Sequence, residues 1–147
     1  MRFFFYGTLI DRDVMALVIG RRLPPQAFEP ASVTGYARRR ASGATFPVLM
    51  RDPKGRVAGV VVRGLSARDV ALLNAYEGQG YCVVPRNVWQ AGRQITVSVF
   101  KSLADRDTRL VPSREPWDLM LWQRCHKRAY VARIRIRFNG RPAYSRP

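Results

Sequence analysis

Short strand-like segments separated by turn signals recur along most of this chain, and they constrain its fold more than any other feature. Apolar or alternating runs predict strands at residues 2–6, 31–37, 46–50, 57–63, 81–89, 94–101 and 133–138. Helical spacing of apolar residues predicts helices at 12–19, 67–75 and 117–130. Because most connections have hairpin length, we expect an α+β fold, with a mixed sheet or small barrel and helices packed outside.

Turn and capping residues set the predicted boundaries. Ser66 and Asp69 have the spacing of a capping box before the helix over 67–75. The segment Asp52-Pro53-Lys54-Gly55 predicts a turn that joins strands 46–50 and 57–63 as a hairpin. Prolines predict a loop over 21–30 and a break over 112–116.

Length and composition favour one domain. The 147 residues, 47% of them hydrophobic, suffice for a core without a disulfide or a metal. No apolar run approaches the ~20 residues that span a bilayer. The two cysteines, Cys82 and Cys125, lack metal-site spacing, and the single histidine, His126, lies in a basic stretch. We therefore expect a reduced, cytoplasmic protein with no metal and no cofactor.

The charge is strongly basic. The chain has 26 Lys and Arg residues against 10 Asp and Glu, for a net charge of +16. This balance favours general affinity for polyanions, and a solvated basic surface explains it equally well. We divide the chain into a domain over 1–132 and a basic strand or tail over 133–147. Weak polyanion contacts are expected through that arginine-rich tail.

A strand that stops at a glycine near the N-terminus suggests an anion site. Phe3-Phe4-Phe5-Tyr6 leads into Gly7-Thr8-Leu9, and a helix start follows. A glycine allows close approach of a ligand to the backbone, and the first amides of the next helix lack intrahelical partners. The alternative is an ordinary strand-to-helix turn.

Glu77 is a candidate general base. It is the only acidic residue between Val70 and Ala104, and it ends a predicted helix just before Gly78. The helix dipole disfavours a negative charge there, and aromatic neighbours would add a desolvation penalty. A carboxyl group with a raised pKa can act as a base near neutral pH. An exposed glutamate in a turn is the alternative.

The order and spacing of several motifs resemble the gamma-glutamylcyclotransferase-like family. These motifs are Tyr6-Gly7-Thr8-Leu9, Phe46-Pro47-Val48-Leu49, Val57-Ala58-Gly59, Leu73-Asn74-Ala75-Tyr76-Glu77-Gly78 with Tyr81, and Pro116-Trp117-Asp118-Leu119 leading to Trp122. The resemblance covers roughly residues 1 to 130. It implies a small mixed β-barrel whose pocket binds a glutamyl group.

The resemblance also implies an activity. In the family reaction, the α-amine of a gamma-glutamyl amine or peptide attacks its own γ-carbonyl and releases 5-oxoproline and the free amine. By analogy, Glu77 is the general acid and base, and Tyr6-Gly7-Thr8-Leu9 binds the substrate carboxylate. Tyr81 would hydrogen-bond the substrate or Glu77, or else serve as a core aromatic. A non-catalytic module that binds small molecules or polyanions on the same scaffold is the alternative function.

Two features depart from, or add to, the family pattern. Family members often carry an arginine at the position that Val83 occupies here, and the nearest arginine is Arg86. The run Arg38-Arg39-Arg40 either lines the pocket mouth, where it would favour an acidic leaving group, or forms a solvated strand end.

Of Trp117 and Trp122, we expect one to pack against the barrel and the other to be partly exposed.

Overall fold

The computed structural model describes residues 1–78, 81–102 and 111–139. The strands in these ranges are β1 (Phe3–Phe5), β2 (Phe28–Ala41), β3 (Pro47–Val62), β4 (Tyr81–Gln90), β5 (Arg93–Ser102) and β6 (Pro112–Pro116). The α-helices are α1 (Arg12–Ile19), α2 (Ala67–Glu77), α3 (Leu119–Cys125) and α4 (Lys127–Asn139). The predicted mixture of strands and outer helices is confirmed.

The strands form one mixed sheet that closes on itself. Its order is β3-β1-β5-β4-β2-β6, and β3 also pairs with β2. The β1–β5 pair is parallel and the other pairs are antiparallel. Strands β2 and β4 meet at a single residue pair, Ser32 with Trp89, which completes the ring. β1 is buried on both faces, since Phe3 and Phe5 belong to one core cluster and Phe4 to another.

The long hairpin of β2 and β3 corrects two predictions. Residues 47–62 form one strand rather than two strands joined at Asp52–Gly55, and the hairpin bend lies between Ala41 and Pro47. The predicted turn residues instead form a bulge within β3, because Thr34 pairs with Arg56 and Tyr36 with Arg51. The Lys54 amide donates to the Asp52 carboxylate at 3.1 Å. Asp52 therefore makes the hydrogen bond typical of a turn, although the chain does not reverse its direction there.

The prediction of a continuous loop over 21–30 was also wrong. A short 3-10 turn covers Pro25–Ala27, and β2 begins at Phe28. The prolines had predicted a loop, but Pro30 lies inside β2, where it is paired with Val60 of β3.

The predicted helices at 12–19 and 67–75 are confirmed. Asp11 caps α1, and its carboxylate accepts from the Asp13 and Val14 amides. The capping box of Ser66 and Asp69 is present at the start of α2, which continues to Glu77.

The C-terminal part differs most from the sequence-based prediction. Pro112–Pro116 is an edge strand paired with β2 and not a break, a position where prolines are tolerated. The helix expected over 117–130 is two helices that meet at His126. The predicted strand at 133–138 is instead part of α4, which runs through residue 132 without interruption. Residues 140–147 of the predicted tail lie outside the described residues.

The exposed and buried residues of these helices explain the error. Ile134 is 5% exposed and packs in the core, whereas Ile136 is 77% exposed. A strand would have placed both on one face. Trp117 and Trp122 are both buried, contrary to the prediction that one would be exposed, and Leu121 faces solvent.

Within the described ranges, no helix combines the length and the apolar character needed to cross a membrane.

Candidate functional site

A cavity of about 250 Å³ opens where β1 ends. It is lined by Phe4, Phe5, Tyr6, Gly7, Thr8, Leu9, Phe46, Pro47, Tyr76, Glu77, Tyr81, Phe100 and Tyr130. All six residues predicted for the site, Tyr6, Gly7, Thr8, Leu9, Glu77 and Tyr81, therefore line one cavity. Their chemical roles remain predictions.

The turn after β1 lines the cavity in a different way from that predicted. Thr8–Ile10 form a single 3-10 turn, in which the Ile10 amide donates to the Gly7 carbonyl at 3.0 Å. The first amides of α1, which the sequence suggested as donors to a ligand, are occupied by the Asp11 carboxylate. Gly7, Thr8 and Leu9 are thus the residues of this segment that line the cavity, and no residue of α1 is among the lining residues.

Gly7 allows the turn to lie close to the opposite wall. A Cβ atom at this position would lie 3.0 Å from Cγ of Pro47, which also lines the cavity. A side chain would therefore press against that wall or enter the space that a ligand needs.

Glu77 is the last residue of α2, and Gly78 follows it with a φ of 75°. The residue as a whole is partly exposed, but its carboxyl group is buried, and this burial raises the pKa of Glu77 to about 8. No Lys, Arg or His is present among the described residues that line the cavity. A buried carboxyl group without a cationic neighbour can exchange a proton near neutral pH.

Tyr81 begins β4 and is partly buried in the same cavity. Burial raises the pKa of its hydroxyl, and the charge of Glu77 raises it further. Tyr81 therefore stays protonated at physiological pH and can act as a hydrogen-bond donor next to Glu77.

Two tyrosines that the sequence analysis did not assign to the site also line it. The Tyr76 hydroxyl lies 3.2 Å from Oγ1 of Thr8 and contacts the Tyr130 hydroxyl. Tyr130 belongs to α4, and its ring packs edge-to-face on Trp122 with centroids 5.4 Å apart. The helical spacing of Tyr130 and Ile134 could have predicted the buried face of α4, but the alternating arginines favoured a strand.

The run of three arginines does not line the cavity. Arg38 donates to the carbonyls of Tyr6 and Ala58, at 2.8 and 3.0 Å, and lies over the Trp117 ring. Arg39 donates to the Arg114 carbonyl, and Arg40 pairs with the Glu115 carboxylate at 2.8 Å. These side chains join β2 to its neighbours, so the expected role at the pocket mouth is not supported.

Val83 is likewise away from the cavity. Its side chain is 45% exposed on β4, and Arg86 donates to the carbonyl of Pro85. In this structure neither position contributes to the cavity wall.

Comparisons with known proteins agree with the architecture. The model of the family described as "Gamma-glutamyl cyclotransferase, AIG2-like" matches residues 3–119. Among curated proteins, AIG2-like protein A of Arabidopsis thaliana is 25% identical over 130 residues, which are 87% of this chain and 75% of that protein.

Solved structures show the same fold. The solution structure of an Arabidopsis thaliana protein aligns with a TM-score of 0.65 at 24% identity, over 96% of this chain and 84% of that one. A structure titled gamma-glutamyl cyclotransferase aligns with a TM-score of 0.55 at 21% identity, over 69% of this chain and 65% of that one. Since the family model covers most of its length, this chain belongs to the AIG2-like gamma-glutamyl cyclotransferase family.

Proposed function

We propose that this protein is a gamma-glutamylcyclotransferase in which Glu77 is the general acid and base. One observation carries the proposal: the buried Glu77 carboxyl group and the Tyr6–Leu9 turn, 68 residues apart at their nearest ends, line the same cavity. The substrate is a gamma-glutamyl amine or peptide, and the products are 5-oxoproline and the free amine.

The raised pKa of Glu77 suits the first proton transfer. The substrate's α-ammonium is protonated at neutral pH and cannot attack until it loses a proton. A carboxylate whose conjugate acid has a pKa of about 8 can accept that proton at a much smaller cost in free energy than an unperturbed carboxylate. An ordinary glutamate, with a pKa of about 4.3, would be a much weaker base.

Ring closure then needs only one carboxyl group. The α-nitrogen bonds to the γ-carbon, and Glu77 gives its proton to the leaving nitrogen as the bond between that nitrogen and the γ-carbon breaks. The regenerated carboxylate then takes the second proton of the α-nitrogen, which leaves a neutral lactam, and passes it to the amine, which departs as its ammonium form. The reaction consumes no water and forms no covalent bond to the protein. Because the attack is intramolecular, binding the substrate in a folded pose supplies much of the acceleration. The turn and Glu77 would hold that pose from two sides.

The same proposal extends to the setting of the reaction. Both cysteines are unpaired, which is consistent with a reducing compartment such as the cytoplasm. Weak polyanion contacts through the arginine-rich C-terminal end remain a secondary prediction.

A panel assay tests the function. The purified protein is incubated with gamma-glutamyl amines and peptides, and 5-oxoproline is quantified by chromatography. We expect release from at least one compound by the wild type and by Glu115→Gln, an exposed surface variant, but not by Glu77→Gln. Absence of release from every compound by the wild type would contradict the proposal, as would an undiminished rate in Glu77→Gln.

A further inference from the structure

The hydroxyl groups of Thr8, Tyr76 and Tyr130 form a connected cluster on the cavity wall. Thr8 belongs to the turn after β1, Tyr76 to α2 and Tyr130 to α4. The family model ends at residue 119, so Tyr130 comes from a segment that it does not cover. The cavity is therefore completed by a helix outside the matched region.

An anion in this cavity would be bound by neutral donors, namely the hydroxyl groups of the cluster and the backbone amides of the Tyr6–Leu9 turn. The described lining residues include no Lys, Arg or His, and the first amides of α1 are occupied by Asp11. Hydroxyl groups that donate to a carboxylate make charge-assisted hydrogen bonds, which are stronger than neutral ones. Linked hydroxyls also polarise one another, and this strengthens the bond to an anion.

We propose that the hydroxyl cluster that includes Tyr130 donates a hydrogen bond to the α-carboxylate of the gamma-glutamyl substrate, in addition to the backbone of the Tyr6–Leu9 turn. This inference rests on the proposed function, because it names the group that recognises one end of that substrate. It assigns a substrate-binding residue to α4 and makes the C-terminal helices part of the site.

Because the Tyr130 ring has its own packing contacts, the contribution of its hydroxyl group can be measured separately from that of the ring. Its ring lies edge-to-face against the buried Trp122, and the Arg133 guanidinium lies 5.6 Å from its centroid. Tyr130→Phe retains the ring and these contacts and removes the oxygen. A matched control is Tyr36→Phe, since Tyr36 packs against the other core cluster and does not line the cavity.

The first measurement is steady-state kinetics with the best gamma-glutamyl amine. We expect Tyr130→Phe to raise KM about tenfold, the effect of one lost hydrogen bond to a charged group. kcat should stay within about twofold, because the carboxylate is bound equally in the ground and transition states. Tyr36→Phe should leave both values unchanged. Thermal unfolding checks that Tyr130→Phe remains folded.

The second measurement identifies the group that is recognised. An analogue with a carboxamide in place of the α-carboxylate is used as a competitor, and its inhibition constant should change less than twofold in Tyr130→Phe. Equal losses for both compounds, or a KM change below twofold, would overturn the inference while the wild type remains active. If the wild type does not bind the carboxamide, the ratio of KM between Tyr130→Phe and the wild type decides whether the inference stands. A wild type without turnover would instead overturn the proposed function and this inference together.

Discussion

The two ends of α2 carry carboxyl groups in opposite environments. Asp69 at the N-terminal end is 2% exposed and accepts from Arg21, with 2.5 Å between Nη2 and Oδ2, and from the Ser66 amide at 2.9 Å. Burial opposes ionisation there, but the bonds from Arg21 and Ser66 outweigh it and lower the pKa of Asp69. At the C-terminal end, no Lys, Arg or His is among the described residues that line the cavity beside Glu77, and burial raises its pKa to about 8.

A single helix therefore carries one carboxyl group whose pKa is lowered by its partners and one whose pKa is raised by burial. Asp69 has its charge where the helix dipole favours it, and it stabilises the fold in the ionised form. Glu77 has its charge where the dipole and the apolar cavity oppose it, so its ionised form weakens the fold. A residue that lowers stability in this way is a candidate for function.

Neutralising each carboxyl group should give the largest contrast in activity. We expect Glu77→Gln to reduce kcat/KM by about 10²–10⁴-fold, the usual contribution of a general base. Asp69→Asn should change it less than about twofold at a temperature where the variant is folded. The measurement is initial-rate release of 5-oxoproline, and similar losses in both variants would remove the distinction between the two ends.

The pH dependence of the wild type should report Glu77 and not Asp69. Because the base must be ionised, we expect kcat/KM to fall about tenfold per pH unit below an apparent pKa near 8. Rates measured between pH 5 and 8 define this limb, with far-UV circular dichroism as a check on folding. An apparent pKa near 4 would assign the base to an unperturbed carboxyl group.

The stability of Glu77→Gln should exceed that of the wild type at high pH. A folded-state pKa raised above the unfolded value stabilises the protein at low pH, and that stability is lost as the pH rises from about 4.5 through about 8. We therefore expect Glu77→Gln to be more stable than the wild type by on the order of 2–3 kcal/mol at pH 9, and by little at pH 4.5. Urea unfolding at both pH values tests this, and equal differences would argue against a buried carboxyl group.

Asp69→Asn should show the opposite trend and a smaller effect. It loses the Arg21 pair and weakens the capping box, so we expect a loss of about 1–2 kcal/mol at pH 7. Because the folded-state pKa is lowered, the stability from Asp69 is present above the unfolded value and disappears as the pH falls below about 4. The same urea experiment at pH 7 and pH 3 measures it, and a pH-independent loss would indicate an effect on packing instead.

Sequence reasoning succeeded where local chemistry decides the structure. The capping box of Ser66 and the glycine after Glu77 placed α2 correctly, and the strands predicted at 81–89 and 94–101 correspond to β4 and β5. The residues predicted for the site line one cavity, and they could be singled out because strand ends and helix ends have recognisable sequence signals.

Sequence-based prediction failed where tertiary contacts decide between two conformations that the local sequence allows. Residues 52–55 have the composition of a turn, but pairing along β2 holds both flanking segments in one strand. Residues 133–138 alternate like a strand, but arginine is also a strong helix former, and burial of Ile134 favours the helix. Tyr130 was missed for this reason, since its place in the cavity depends on α4.

The closure of the sheet by one residue pair indicates where the barrel yields most easily. Ser32 and Trp89 form the one backbone pair described between β2 and β4, Gln90 of β4 donates to the Glu29 carboxylate of β2, and Trp89 is partly exposed. Local separation of those strands breaks few bonds, so amide protons near this seam should exchange with solvent before those of β1. Trp89 lies eight residues along β4 from Tyr81, about 26 Å in an extended strand. Local separation of β2 from β4 would therefore leave the walls of the cavity undisturbed.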